Sequence, residues 1–231
     1  MSLKDDGNKK MVNKINIAID GPAGSGKTTV GLLLSKKLNY KFLDSGLLYR
    51  HFAYFFEKNK FFFDKAENLI PCWNHWLKTK KKSLLFDLEK ERKNLNSSEV
   101  NNLVPHLSQI PKLRKIILLF QRELTQSKGW IVIGRDITSV VLPKAEIKVF
   151  LTASLDERVK RRGNELDLKK TKQEMQERDK RDKTRKISPL IKTLNSWELD
   201  NTNLSVEESV EKILTYFYKL KLKNWLGSKK Y

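Results

Sequence analysis

One cysteine, Cys72, stands among 231 residues, and its solitude removes a class of architecture. A single thiol cannot close an intrachain disulfide, so the fold is not a disulfide-stapled one, and a reducing compartment suits the chain. Three scattered histidines beside that thiol cannot build a spaced structural metal site. No stretch approaches the roughly 20 apolar residues of a membrane span. The first fourteen residues are polar and charged, without the apolar centre of a signal peptide. A cytoplasmic protein with no membrane partner is therefore expected. Acidic residues are also scarce relative to basic ones, 27 against 47, for a formal net charge of +20. That balance attracts phosphates of any kind, on nucleotides, nucleic acid or lipid, and does not choose among them.

What is present is enough apolar material, 39% of residues, for one compact enzyme with small inserted subdomains. Residues 1–14 lack a hydrophobic period and are expected to form a flexible leader, with residues 15–231 making a single domain. Ile15 to Asp20 reads as a short buried strand running into a glycine-rich turn. A helix follows, with Val30, Leu33, Leu34 and Leu38 on one face. Tyr40–Leu43, Trp130–Ile133 and Ile147–Leu151 are further strand candidates separated by long helical patterns, which predicts a parallel sheet covered by helices. The aromatic and lysine-rich text of about 61–104 interrupts the alternation and is read as an insertion of mixed strand and helix. Pro111 opens a helix with Leu113, Ile116, Ile117, Phe120 and Leu124 in period, and Arg114 at the margin of the stripe. Ser205 and Glu208 have capping-box spacing ahead of a final amphipathic helix.

The run Gly21, Pro22, Ala23, Gly24, Ser25, Gly26, Lys27, Thr28 matches the phosphate-binding P-loop pattern and lies between a predicted strand and a predicted helix, as that motif requires. Its glycines let successive backbone N–H groups converge on phosphates, the helix N-terminus adds partial positive charge, Lys27 reaches the outer phosphates, and the Thr28 hydroxyl can meet magnesium. After the second strand, Arg50 could clamp a substrate phosphate through its fork of donors; an ordinary helix start capped by Asp44 or Ser45, with Arg50 solvated, explains the same residues. Arg135 and Asp136 follow the third strand and project into the same crevice. Arg178, Asp182 and Arg185 fall on one helical face, either as a site or as an intrahelical salt-bridge ladder. Arg158, Arg161 and Arg162 form a similar set upstream.

The segments AIDGPAGSGKTT, LDSGLLYR, GRDITSVVLP, ERDKRDKTRKISPL and LDNTNLS resemble bacterial cytidylate kinases in order and spacing. The resemblance implies an α/β fold: a five-stranded parallel P-loop core with helices on both faces, an insertion at about 61–104 that binds the nucleoside monophosphate, and a short helical lid at about 158–186. It implies ATP-dependent phosphorylation of CMP and dCMP by in-line transfer, with ATP held by Gly21 to Thr29 and Mg²⁺ met by Thr28. Ser45, Arg50 and Arg135 would surround the CMP phosphate, Arg114 and Asp136 the cytosine edge, and Arg178 and Asp182 the ribose hydroxyls. Arg185 would lie near the transferring phosphate, and Arg158, Arg161 and Arg162 in the lid. Lys27, Arg135, Arg185, Arg161 and Arg162 would stabilise charge in the transition state, and no general base is needed because a phosphate oxygen is already ionised. Pro105 stands where relatives can carry a base-contacting serine, and it brings neither hydroxyl nor backbone donor. A monomer that binds no nucleic acid is expected. The rival readings are a P-loop kinase for another small acceptor and a nucleic-acid-binding ATPase.

Overall fold

The structure, a computed structural model, describes residues 14–59, 69–80, 94–162 and 168–227. The expected leader lies almost wholly outside them, as does part of the insertion. Five parallel strands, β1 (Ile17–Asp20), β2 (Lys41–Asp44), β3 (Trp130–Gly134), β4 (Ile147–Thr152) and β5 (Trp197–Asp200), form one sheet in the order β2-β3-β1-β4-β5. The first four are the strands that the apolar runs predict, each displaced by a residue or so at an end. β5 has no such run, because only Leu199 of its four residues is buried.

Strand alternation divides the sheet between two cores. Ile17, Ile19, Ile131, Ile133, Val149 and Leu151 meet Val30 and Leu34 of α1 (Lys27–Leu38) and Val210, Ile213 and Phe217 of α8 (Val206–Gly227). On the opposite face, Ala18, Leu43 and Val132 meet Leu118 and Leu124 of α5 (Pro111–Thr125). Helices thus cover both faces, and both faces must be apolar, which is why the strands read as continuous hydrophobic runs. The predicted capping box forms at α8: Glu208 N–H donates to Ser205 Oγ at 3.1 Å, and Ser205 N–H to Glu208 Oε2 at 2.7 Å.

Of the expected insertion at about 61–104, residues 69–80 and 94–104 are described, and the expectation of mixed strand and helix falls in part outside them. Its described residues form α3 (Leu69–Lys80), a 3₁₀ turn (Asn94–Asn96) and the start of α4 (Ser98–Leu107), with no strand among them. Two of its aromatics sit at helical spacing in α3. Trp73 and Trp76 stack at 4.7 Å and bury against Phe52 and Phe56 of α2 (Ser45–Lys58) and Phe120 of α5. This third core fastens the insertion to α5, the helix that carries Arg114. Two further helices, α6 (Leu155–Arg162) and α7 (Leu168–Thr184), occupy the range expected for the lid.

Candidate active site

A cleft of about 1440 Å³ runs along the C-terminal ends of the strands, where a doubly wound sheet opens its ligand crevice. The turn after β1 lines one part of it. Gly24 (φ 74°) and Gly26 (φ 85°) take left-handed backbone that a side chain would strain. A Cβ on Gly21 would lie 2.0 Å from the Leu151 carbonyl oxygen, so the loop can lie against β4 only as glycine. Left-handed residues alternating along such a turn build a concave nest of N–H groups suited to anions.

Lys27 opens α1 and is buried, its ammonium donating to Pro22 O at 2.6 Å and Ser25 Oγ at 3.2 Å. Burial, reinforced by the positive charge of Arg135, pushes its pKa well below the ordinary lysine value. An ammonium so placed gains from any phosphate that enters. Thr28 Oγ1 donates to Asp44 Oδ2 at 3.2 Å, while Asp44 Oδ1 accepts from the N–H groups of Gly46 and Leu47. Asp44 is therefore the helix cap that the plain alternative proposed, and it also ties α2 to the P-loop.

Guanidinium groups line the rest of the cleft, and each has a distinct setting. Arg114 and Asp136 form a buried pair at 2.5 Å, with Arg114 also donating to Ser108 O and lying over the Tyr49 ring. Arg135 donates to Asp182 at 2.8 Å, joining the turn after β3 to α7. The α7 face is therefore not a self-contained salt-bridge ladder: its carboxylate is spent on Arg135, and Arg185 lies 3.9 Å from it. Arg178 has its pKa pushed down to about 10, by burial first and by Arg135 next. Arg185 donates to Ser188 O, while its buried NH2 atom finds no partner among the described residues. An unpartnered buried guanidinium nitrogen is costly unless a ligand completes it. Arg50 is half-buried rather than free in solvent; it donates to Leu95 O at 2.9 Å and Asn101 Oδ1 at 2.6 Å. Ser45 Oγ accepts from Gln121 at 2.9 Å.

Arg161 and Arg162 line the cleft, with Arg161 donating to Glu157 and twice to Asn201. Arg158 departs from that set. It is buried, and its guanidinium grips Ala153 O, Ala23 O and Asp179 rather than facing the cleft. Sequence reading also missed Asp20, Asp179 and Asn201. Asp20, wholly buried at the end of β1, accepts from Ile137 N–H at 2.9 Å and from the Thr138 N–H and hydroxyl at 2.7 Å each. It fixes the π-helical turn Ile137–Val141, and with it the direction in which Arg135 and Asp136 leave β3. An acid closing an otherwise apolar strand was the available signal.

A cytidylate kinase family model matches residues 17–219, nearly the whole described chain. The chain belongs to the cytidylate kinase family. It is 37% identical to the cytidylate kinase of Enterococcus faecalis, over 87% of this chain and 95% of that one. It is 39% identical to a bifunctional pantoate ligase/cytidylate kinase of Prochlorococcus marinus, of which it spans 43% while 90% of this chain is covered. Shikimate kinase from Acinetobacter baumannii, in complex with shikimate, shares the fold at TM-score 0.50 and 22% identity, over 91% of this chain and 96% of that one. As a cytidylate kinase, the chain uses ATP as phosphoryl donor and acts on small nucleotides. No helix among the described residues is long and apolar enough to cross a membrane.

Proposed function

We propose that this cleft transfers the γ-phosphoryl group of ATP to CMP and dCMP, giving CDP and dCDP. The observation that carries the reading is that the P-loop and the pairs Arg114–Asp136 and Arg135–Asp182 line one cleft. One end offers backbone N–H groups and Lys27 to a triphosphate. The other offers planar donors and carboxylate acceptors to a base, a sugar and a monophosphate.

In this assignment Gly21 to Thr29 hold ATP, Ser45, Arg50 and Arg135 hold the acceptor phosphate, and Arg114 with Asp136 read the cytosine edge. Arg178 and Asp182 address the ribose. Lys27, Arg135, Arg185, Arg161 and Arg162 neutralise charge on the equatorial oxygens as the phosphoryl group moves. The acceptor oxygen attacks directly and needs no base. The Thr28 hydroxyl and Asp44 carboxylate form an all-oxygen donor pair, and no cluster of three or more metal-ligating residues lies among the described residues. Few protein ligands suit Mg²⁺, which keeps most of its water and binds chiefly through phosphates. Thr28 would hold it, with Asp44 steadying Thr28, and it would supply charge neutralisation on the outer phosphates. Residues 15–231 would act as one kinase domain, with the acceptor insertion at about 61–104 and α6 and α7 as lid, working as a cytoplasmic monomer without nucleic acid.

The test is ADP release measured across CMP, dCMP, UMP, AMP, GMP and shikimate. CMP and dCMP should exceed every other acceptor in kcat/KM by at least about tenfold, since a site with paired polar groups rejects acceptors that leave them unmatched. Comparable turnover of a purine nucleotide or of shikimate would overturn the assignment.

A further inference from the structure

Phosphate-binding loops depend on which way each peptide faces, and three buried residues hold this loop, Arg158 and Asp179 from outside the cleft and Asn201 from its margin. Asn201, the first residue past β5, donates from Nδ2 to Ser25 O at 3.1 Å. Arg158 of α6 donates to Ala23 O at 3.0 Å, and Asp179 of α7 accepts from Ala23 N–H at 3.4 Å while pairing with Arg158 at 2.7 Å. All three are less than a tenth exposed. The fit is close: a Cβ on Gly24 would meet Met175 Cε at 2.7 Å and the Arg158 Cβ and carbonyl at 3.1 Å, and one on Gly26 would meet Asn201 Nδ2 at 3.5 Å.

No peptide among the described residues is cis. In a planar trans peptide the C=O of one residue and the N–H of the next point in opposite directions. The held groups therefore fix the alternation along the loop. Pro22 O faces inward to Lys27, so Ala23 N–H faces outward, where Asp179 receives it. Ala23 O faces outward to Arg158, which turns Gly24 N–H toward the cleft. Ser25 O is engaged by Asn201 at the cleft margin, and the Gly26 N–H of the same peptide points the opposite way, toward the centre of the turn. Without these donors, two carbonyls beside the phosphate site could rotate inward and repel the anion that the amides attract.

We propose that Asn201, Arg158 and Asp179 are positioning residues for ATP: they hold the Ala23 and Ser25 carbonyls away from the centre of the turn, so that the Gly24 and Gly26 amides are already aimed at the triphosphate. The inference rests on the reading of this loop as the ATP site. It assigns Arg158 to the P-loop rather than to a mobile lid, and it places Asp179 and Arg178, adjacent on α7, in service of the two different substrates.

Calorimetric titration with inorganic tripolyphosphate, ATP and CMP tests it. Wild type should bind tripolyphosphate in competition with ATP; if it does not, the ATP-site reading falls and the inference with it. Asn201→Ala should weaken tripolyphosphate and ATP about tenfold while leaving the Kd for CMP within about twofold. Asn201→Asp retains the acceptor for Arg161 but loses the donor to Ser25, so it should bind tripolyphosphate no better than Asn201→Ala. Recovery in the Asp variant would show that Asn201 acts through Arg161 and would overturn the proposal, as would unchanged tripolyphosphate affinity in Asn201→Ala. Exchanging the charges, Arg158→Asp with Asp179→Arg, restores an ion pair but presents the wrong partner to each Ala23 group. Thermal stability should rise above that of either single variant while tripolyphosphate affinity stays low. Return of affinity would reduce the pair to a strut between helices, and if the exchanged protein does not fold, the Asn201 variants decide alone.

Discussion

On the P-loop side of the cleft, proposed for ATP, the groups offered to phosphate are backbone amides and one lysine; on the other side, proposed for CMP, they are guanidinium groups. Amide dipoles carry no net charge and tolerate crowding, so this side needs orientation, which hydrogen bonds to the carbonyls of the loop supply. Guanidinium groups repel one another and lose hydration on burial. Their side therefore interleaves carboxylates, Asp136 against Arg114 and Asp182 against Arg135. The difference teaches that one half is prepared by geometry and the other by charge balance. Mutations should separate the two.

The largest effect is expected at Arg185, whose buried NH2 atom lacks a partner among the described residues. Arg185→Ala should slow kcat by at least about a hundredfold, since arginines that stabilise a moving phosphoryl group contribute about 10³ to 10⁵-fold and Lys27 and Arg135 would compensate in part. ATP affinity should change little. Retention of most turnover at saturating ATP and CMP would remove Arg185 from the site. Next comes Asp182→Ala, which removes the partner of Arg135 and, on the proposed assignment, an acceptor for the sugar. KM for CMP should rise about tenfold, KM for ATP much less, and CMP and dCMP should be affected unequally. Equal effects on the two acceptors would limit Asp182 to balancing Arg135.

The smallest effect is a proton. Burial lowers the Lys27 pKa in the folded protein, so between that value and the ordinary lysine value the unfolded chain holds more protons than the folded one. The sign follows: the Lys27 contribution makes stability rise with pH across that window. A bound triphosphate favours the charged ammonium and reverses the shift. ATP binding should then take up a fraction of a proton at alkaline pH, and affinity should fall as pH rises through the lowered pKa. Calorimetry in buffers of different ionisation enthalpy reads this directly, and absence of uptake across the whole window would contradict the buried, phosphate-facing placement of Lys27.

The same division governs what could be read from the chain. The P-loop is local: eight consecutive residues contain the turn, the cation and the hydroxyl, and the strand and helix beside it are visible in their periodicity. Arg135, Asp136, Arg178, Asp182 and Arg185 were legible as cleft residues because each follows a strand or shares a helical face. The contacts that hold the loops beneath them were not. The contacts of Asp20 with Thr138, of Arg158 with Ala23 and of Asn201 with Ser25 join residues more than a hundred positions apart, and no spacing rule encodes them. β5 escaped because one buried residue in four gives no pattern. Within the expected insertion the aromatic text left strand and helix open, and at Trp73 and Trp76 the helix is accompanied by packing on Phe120, a contact that no local pattern encodes.

The strand order has a temporal side. β1 lies between β3 and β4, and β2 pairs only with β3, so neither of the first two strands to be synthesised has a sheet neighbour until the chain has been extended past Trp130. At roughly 5–20 residues per second on the ribosome, the nascent P-loop segment waits several seconds for the strands that give it shape. During that interval Ile17 to Asp20 and Lys41 to Asp44 are unpaired edges with apolar side chains. Contacts of such long sequence separation form slowly after release as well. Refolding from denaturant should accordingly be limited by docking of β3 between β1 and β2, and substitutions at Ile131 or Val132 should slow it more than substitutions in the local α1 turn.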